Sequence, residues 1–92
     1  MREQQMKALK VANRVRMAAA DVKREVHDGD LTVREALWDD RATVIPLRAL
    51  LLMPRGAGPY KVDRFLMRLD VNGYRRVGEL TERQRWVVAN AT

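Results

Sequence analysis

The chain of 92 residues carries 18 lysines and arginines against 12 aspartates and glutamates, a formal net charge of +6, and its sequence pI is near 10.5. A chain this short buries only about 60% of the surface it exposes when unfolded, which limits it to one domain with a modest core. The absence of cysteine excludes disulfide frameworks, thiolate metal sites and thiol chemistry.

The charge is unevenly spread. Met1 to Ala20 holds 5 basic residues and 1 acidic, Asp21 to Pro54 holds 5 and 7, and Arg55 to Thr92 holds 8 and 4. Two basic ends flank a slightly acidic middle, a distribution that favours a polyanionic partner over mere solubility. No apolar run is long enough to span a membrane, and the charged N-terminus lacks the apolar segment of a secretory signal. A cytoplasmic protein is expected.

Arg2 to about Asp28 contains no proline or glycine and is dense in good helix formers, which predicts one long helix. Met6, Leu9, Asn13, Met17, Ala20 and Arg24 form its most regular stripe, too small and polar for deep burial. Arg2, Lys7, Lys10, Arg14 and Arg16 crowd the first half with positive charge, where the helix dipole is itself positive. A phosphate backbone would relieve that conflict, so Lys7, Lys10 and Arg14 are candidate nucleic-acid contacts; a solvated basic face is the alternative. Gly29 is placed to end the helix in a left-handed conformation. His27 stands in the last turn with no second histidine or cysteine near it, and no metal site is assigned to it.

Thr32-Val33-Arg34-Glu35 reads as a capping box opening a short helix through Leu37 and Trp38. Ile45-Pro46 starts a third helix whose Leu47, Leu50 and Leu51 share a core face. Pro54 should close it. Pro59 suits a first helical turn, with Gly58 as its cap and a helix to about Leu69. Between the two helices, Arg55-Gly56-Ala57-Gly58 forms a hairpin. Its small residues would let a phosphate oxygen approach the free amides, with the helix dipole behind them and Lys61 one turn in. Arg55, Gly56, Gly58 and Lys61 are therefore candidate phosphate contacts, although Gly-x-Gly turns most often only join helices.

Val62, Phe65, Leu66 and Leu69 repeat the i, i+3, i+4, i+7 spacing and leave Asp63, Arg64 and Arg68 outward. Asp70 to Gly73 connects onward to Tyr74-Arg75-Arg76, where Arg75 and Arg76 can fork onto phosphates. A second capping box, Thr81-Glu82-Arg83-Gln84, opens a final helix carrying Trp86 and Val87. Trp38, Tyr60, Phe65 and Trp86 are candidate base-stacking groups, but their apolar helical positions predict burial in the core. Tyr74 is left open. With no serine, no cysteine and one histidine, the chain lacks the usual parts of nucleophilic and acid-base catalysis. No enzyme, cofactor, metal or small-molecule substrate is expected.

From Leu50 to Val88 the residues carry a resemblance. The run Leu50 to Gly58, then Phe65-Leu66-Met67 and Leu69, Arg75-Arg76-Val77 with Leu80, and Arg83-Gln84-Arg85 resemble the actinobacterial integration host factor family of nucleoid-associated DNA-binding proteins. The resemblance covers nearly the whole chain in layout and about forty residues in detail. It implies an all-α protein, a basic N-terminal helix over residues 1–29 followed by a compact helix-two-turns-helix domain over residues 30–92. It also implies that Gly58, Lys61, Arg75 and Arg76 occupy positions of DNA-backbone contacts. Two departures stand out: the hairpin looks one residue longer, with Pro59 where the family tends to have lysine, and Gly78 replaces a common arginine. A bacteriophage-encoded or divergent member is one explanation.

The expected function is therefore architectural, sequence-tolerant binding of double-stranded DNA through its backbone, in the nucleoid or in a complex with a recombinase or integrase. The alternatives are a helical adaptor that docks an integrase or polymerase through the N-terminal helix, and a binder of structured RNA.

Overall fold

In the computed structural model, which describes residues 2–92 and side chains from residue 6 onward, the first helix, α1, runs Arg2–Asp28. It ends in a Schellman arrangement: Gly29 has φ +85°, its N–H donates to Val26 O at 3.2 Å, and Asp30 N–H donates to Glu25 O at 2.8 Å. The remaining elements are α2 (Val33–Ala36), a 3-10 turn (Asp40–Ala42), α3 (Leu47–Leu51), α4 (Pro59–Leu69), a second 3-10 turn (Val77–Glu79) and α5 (Glu82–Ala91). The fold is all-α, a long N-terminal helix followed by a compact helix-two-turns-helix domain. Among the described residues the extended pairing is an isolated bridge between Pro46 and Arg76.

Both capping boxes form. Thr32 Oγ1 accepts from Glu35 N–H at 3.0 Å while Thr32 N–H donates to Glu35 Oε1 at 3.1 Å. Thr81 and Gln84 repeat the exchange at 3.1 and 3.0 Å. Gly58 caps α4 with extended dihedrals, φ −90° and ψ 149°, and Pro59 is its first residue. α4 ends on Asp70 in the left-handed region, φ 55° and ψ 45°, a conformation aspartate tolerates better than most side chains. α2 is shorter than its periodicity predicts, because Leu37 already caps it.

The core is aliphatic. Leu37, Ile45, Leu47, Leu50, Val22, Val77 and Val88 are its largest fully buried side chains. α1 joins it through Ala19, Val22 and Val26 rather than through the Met6–Leu9–Met17 stripe, whose members are exposed. Arg41, in the first 3-10 turn, fastens this contact by reaching Glu25 on α1 and Asp39 beside it, each at 2.8 Å. The expected burial of the aromatic residues is overturned: Trp38, Tyr60 and Trp86 are 49%, 72% and 60% exposed, and only Phe65 of the four packs partly against the core. Trp38 lies in the turn after α2, and the other two exposed rings, Tyr60 on α4 and Trp86 on α5, each stand two residues from a buried side chain, Val62 or Val88. At about 100° per residue, two positions rotate a side chain by about 200°, to the opposite face.

α1 has 27 residues, so it is about 40 Å long, and it sets the long dimension of a molecule measuring 48 × 27 × 20 Å. The radius of gyration is 14.4 Å, against about 12 Å for a compact chain of this length. Residues 6–11 are all exposed, so this stretch of α1 stands clear of the domain.

Arg48 on α3 reaches Asp63 on α4 with Nε–Oδ1 2.8 Å and Nη2–Oδ2 3.3 Å, a bidentate pair that holds the Asp63 carboxyl below its usual range. Hydrogen bonds from Thr32 and Arg41 do the same for Glu35 and Asp39. Depressed carboxyl values mean these contributions are present above about pH 4 and are lost as pH falls through the folded values. Thermal melts at pH 6 and pH 3 are expected to show the acid sample less stable.

Gly73 and Gly78 are fixed by close packing. A Cβ on Gly73 would lie 2.5 Å from Leu66 Cδ1 and 3.0 Å from Arg48 Cβ; on Gly78 it would lie 3.0 Å from the Thr43 carbonyl oxygen. Contact with Thr43 thus gives position 78 a packing reason to be glycine. Gly73→Ala is expected to cost roughly 1–3 kcal/mol through overpacking, read as a lower melting temperature.

Candidate nucleic-acid interface

The hairpin between α3 and α4 closes with Ala57 N–H donating to Pro54 O at 3.1 Å, and Gly56 takes φ +82° at its third position. That is the place in a type II turn where glycine is favoured. Open space surrounds both Gly56 and Gly58, with no heavy atom within 4 Å of where a Cβ would stand. No side chain caps α4, so the amides of its first turn face outward at the positive end of an 11-residue helix. Arg55 and Lys61 are exposed beside them.

Tertiary structure adds a support for the hairpin that the sequence did not disclose. His27 Nδ1–H, in the last turn of α1, donates to the Met53 carbonyl at 3.0 Å. The lone histidine thus pins the end of α1 to the start of the hairpin.

Arg75 and Arg76 are held at the backbone. Leu47 N–H donates to Arg75 O at 2.8 Å and Arg48 N–H to Gly73 O at 2.8 Å, so first-turn amides of α3 are satisfied by this segment. Val77 N–H donates to Ile45 O at 2.9 Å, and Arg76 N–H to Glu79 Oε1 at 3.3 Å. Their side chains are exposed. Among the described residues the ion pairs engage Arg24, Arg41 and Arg48, leaving Arg55, Lys61, Arg75 and Arg76 outside any such pair.

The candidates are not all neighbours. Arg55, Gly56, Gly58 and Lys61 share the hairpin. Arg76 instead borders a groove of about 500 Å³ between α1 and Val44–Pro46, whose other cations are Arg16 and Lys23. Arg14 lines a different groove with Asp40 and Arg41. Lys7 and Lys10 are exposed on the projecting stretch of α1, and the side chain of Arg2 lies outside the described residues. Lys23 was missed as a candidate. Its signal is the seven-residue step from Arg16, two helical turns along one face.

Tyr74 and Met67, 81% and 80% exposed, flank a further groove beside Asn72 and Gly73. Among the described residues no group of histidine and carboxylate side chains could hold a metal ion. Among the described residues no helix is long and apolar enough to cross a membrane.

No family model matches the chain, and no curated relative does. A solved structure, described as "Structure of sIHF bound to an 8bp palindromic DNA", matches with a TM-score of 0.75 and 22% sequence identity, over 89% of this chain and 97% of that one. At that identity the likeness is one of fold.

Proposed function

We propose that this protein binds duplex DNA chiefly through the phosphate backbone and shapes it, either in organising a nucleoid or in assembling a site-specific recombination complex with a recombinase. The carrying observation is the pair Arg75 and Arg76, fixed at the backbone by α3 and free at the side chain. With the backbone already held, these arginines lose less freedom on meeting a phosphate than arginines on a mobile loop. Further support comes from the α4 N-terminus, which no side chain caps, with Gly56, Gly58, Arg55 and Lys61, and from the likeness in fold to a protein solved on DNA. α5 carries Arg83, Gln84, Arg85 and Asn90, but Gln84 is taken up in the Thr81 capping box, Arg85 donates to the Val77 carbonyl and Asn90 to the Trp86 carbonyl, so these groups are engaged within the fold and binding tolerates sequence. The role is non-enzymatic, and the protein acts where the DNA is, in the nucleoid.

The basic helix, residues 1–29, and the domain, residues 30–92, divide this work. Lys7, Lys10 and Arg14 extend the contact along the backbone, with Arg16 and Lys23 continuing it toward Arg76. Gel-shift titrations on duplex DNA at several salt concentrations are expected to give log K against log salt a slope of about −4 to −5, for roughly four to six neutralised phosphates. A chain starting at Val22 keeps the buried Val22 and Val26 and loses Ala19. It is expected to fold with lowered stability and to bind with a slope shallower by about one unit for each lost phosphate contact. A flat salt response would reject the DNA reading, and equal affinity for duplex RNA would redirect it.

A second reading has its own observation. Met6, Leu9, Val11 and Met17 are each more than half exposed on α1. Such a helix also suits an adaptor that docks an integrase or polymerase, and for it the shortened chain would bind DNA with an unchanged slope.

A further inference from the structure

The chain has two tryptophans, and both lie outside the core, Trp86 on α5 and Trp38 in the turn that follows α2. Two contacts set the register of α2 against α5. Arg34 Nη2 reaches Asn90 Oδ1 at 3.5 Å, and the Arg85 guanidinium lies 5.3 Å from the centre of the Trp38 ring. Residues 34 and 38 therefore oppose residues 90 and 85, an antiparallel pairing. Trp38 follows Arg34 by about one turn, and Trp86 precedes Asn90 by one turn on the same α5 face, where Asn90 Nδ2 donates to the Trp86 carbonyl at 2.8 Å. Both indoles thus border one exposed seam, 49% and 60% exposed.

Cations surround them. Arg83 lies three residues before Trp86 on the same face, and Arg34 and Arg85 join α2 to α5; of the carboxylates next to these residues in the chain, Glu35 is held by the Thr32 cap and Asp39 is paired with Arg41, which leaves Glu82. Arg85 also donates from Nη2 to Val77 O at 3.1 Å, which ties the seam to the residue following Arg76. Its fork is therefore held in place, and it lies over the Trp38 ring as a cation–π partner.

We infer that the α2/α5 seam is a stacking platform for unpaired nucleotides, with Trp38 and Trp86 offering ring faces to bases and Arg34, Arg83 and Arg85 serving the intervening phosphates. Aromatic faces with interleaved guanidiniums are the composition that binds single-stranded nucleic acid without sequence preference, because every base has a π face. Exposed indoles on a seam of net positive charge fit a polyanion that carries flat apolar groups. A second copy of this chain would bring the same charge. The binding is distinct from the duplex grip and uses other side chains.

The test is a fluorescence and affinity titration with a single-stranded thymidine oligonucleotide of about twelve nucleotides, within the usual range of site sizes. An abasic oligonucleotide of the same length and a blunt duplex serve as the other arms. The two indoles are the chain's tryptophan fluorophores, so stacking quenches emission directly. The thymidine strand is expected to quench and to bind about tenfold more tightly than the abasic strand. Trp86→Ala should weaken the thymidine strand by about five- to tenfold and leave the blunt duplex unchanged, while Trp86→Phe keeps most of the binding. Trp38→Phe, which retains a ring for Arg85, guards against a folding defect in Trp38→Ala. Equal binding of the abasic strand, absence of quenching, or an unchanged Trp86→Ala affinity would overturn the platform. So would self-association that Trp86→Ala abolishes, since the seam would then cover a second copy. Duplex binding that survives those failures leaves the phosphate grip standing, and its loss with thymidine binding intact would reject only the grip.

Discussion

Leu50→Ala is expected to lower the melting temperature by about 10 °C or more, and Trp86→Ala to lower it by only a few degrees. Leu50 is fully buried among α3's neighbours, whereas Trp86 is 60% exposed. Removing a buried leucine costs about 2–5 kcal/mol in lost transfer energy and residual cavity, and each kcal/mol shifts the midpoint by about 4–8 °C in a domain of this size. An exposed indole loses little on truncation, and surface changes away from special features stay within about 0.5 kcal/mol. The contrast reverses the ordinary expectation that the larger ring matters more. Circular dichroism melts of both variants check it, and a tryptophan variant that melts as low as the leucine variant would mean that the α2/α5 seam is buried in solution.

The double substitution Arg75→Ala with Arg76→Ala is expected to weaken duplex DNA binding by about sixtyfold at 0.1 M salt, with the melting temperature unchanged. If K varies as the salt concentration to the power −0.9Z, removing two phosphate contacts divides K by about 10 to the power 1.8 at that salt. The log K against log salt slope should become shallower by about two units, and unrelated duplex sequences should lose equally, because phosphate contacts carry no base information. The fold survives because what α3 uses is the backbone of this segment, the carbonyls of Gly73 and Arg75, and the substitution leaves both in place. Losses confined to particular DNA sequences would assign these arginines to base edges instead. A variant that unfolds would assign them to the structure.

Helix positions were legible in the sequence where the signal is local. Gly29 after α1, the Thr32 and Thr81 capping boxes, and Gly58-Pro59 before α4 act within a few residues of themselves, through dihedral preference and near-neighbour hydrogen bonds. The leucine face of α3 was equally plain, because three large aliphatic side chains at helical spacing have few alternatives to burial. That Arg55, Gly56, Gly58 and Lys61 share one hairpin could be read for the same reason, since they lie within seven residues of the chain.

What the tertiary structure decided is which face of each short helix turns inward. α5 has ten residues and carries apolar side chains on more than one side, and α2 has only four residues. Their rotation is set by what they pack against, so Val88 and Ala89 went in and Trp86 stayed out. The same holds along α1, where the regular stripe of Met6, Leu9 and Met17 promised the contact and the smaller Ala19, Val22 and Val26 made it, since small side chains let the helix approach the 3-10 turn at Asp40–Ala42. Nor could spacing along the chain show that Arg76 borders the groove of Arg16 and Lys23, or that His27 reaches the Met53 carbonyl 26 residues away. Those meetings depend on loop closure and on core packing between distant segments, which no local preference encodes.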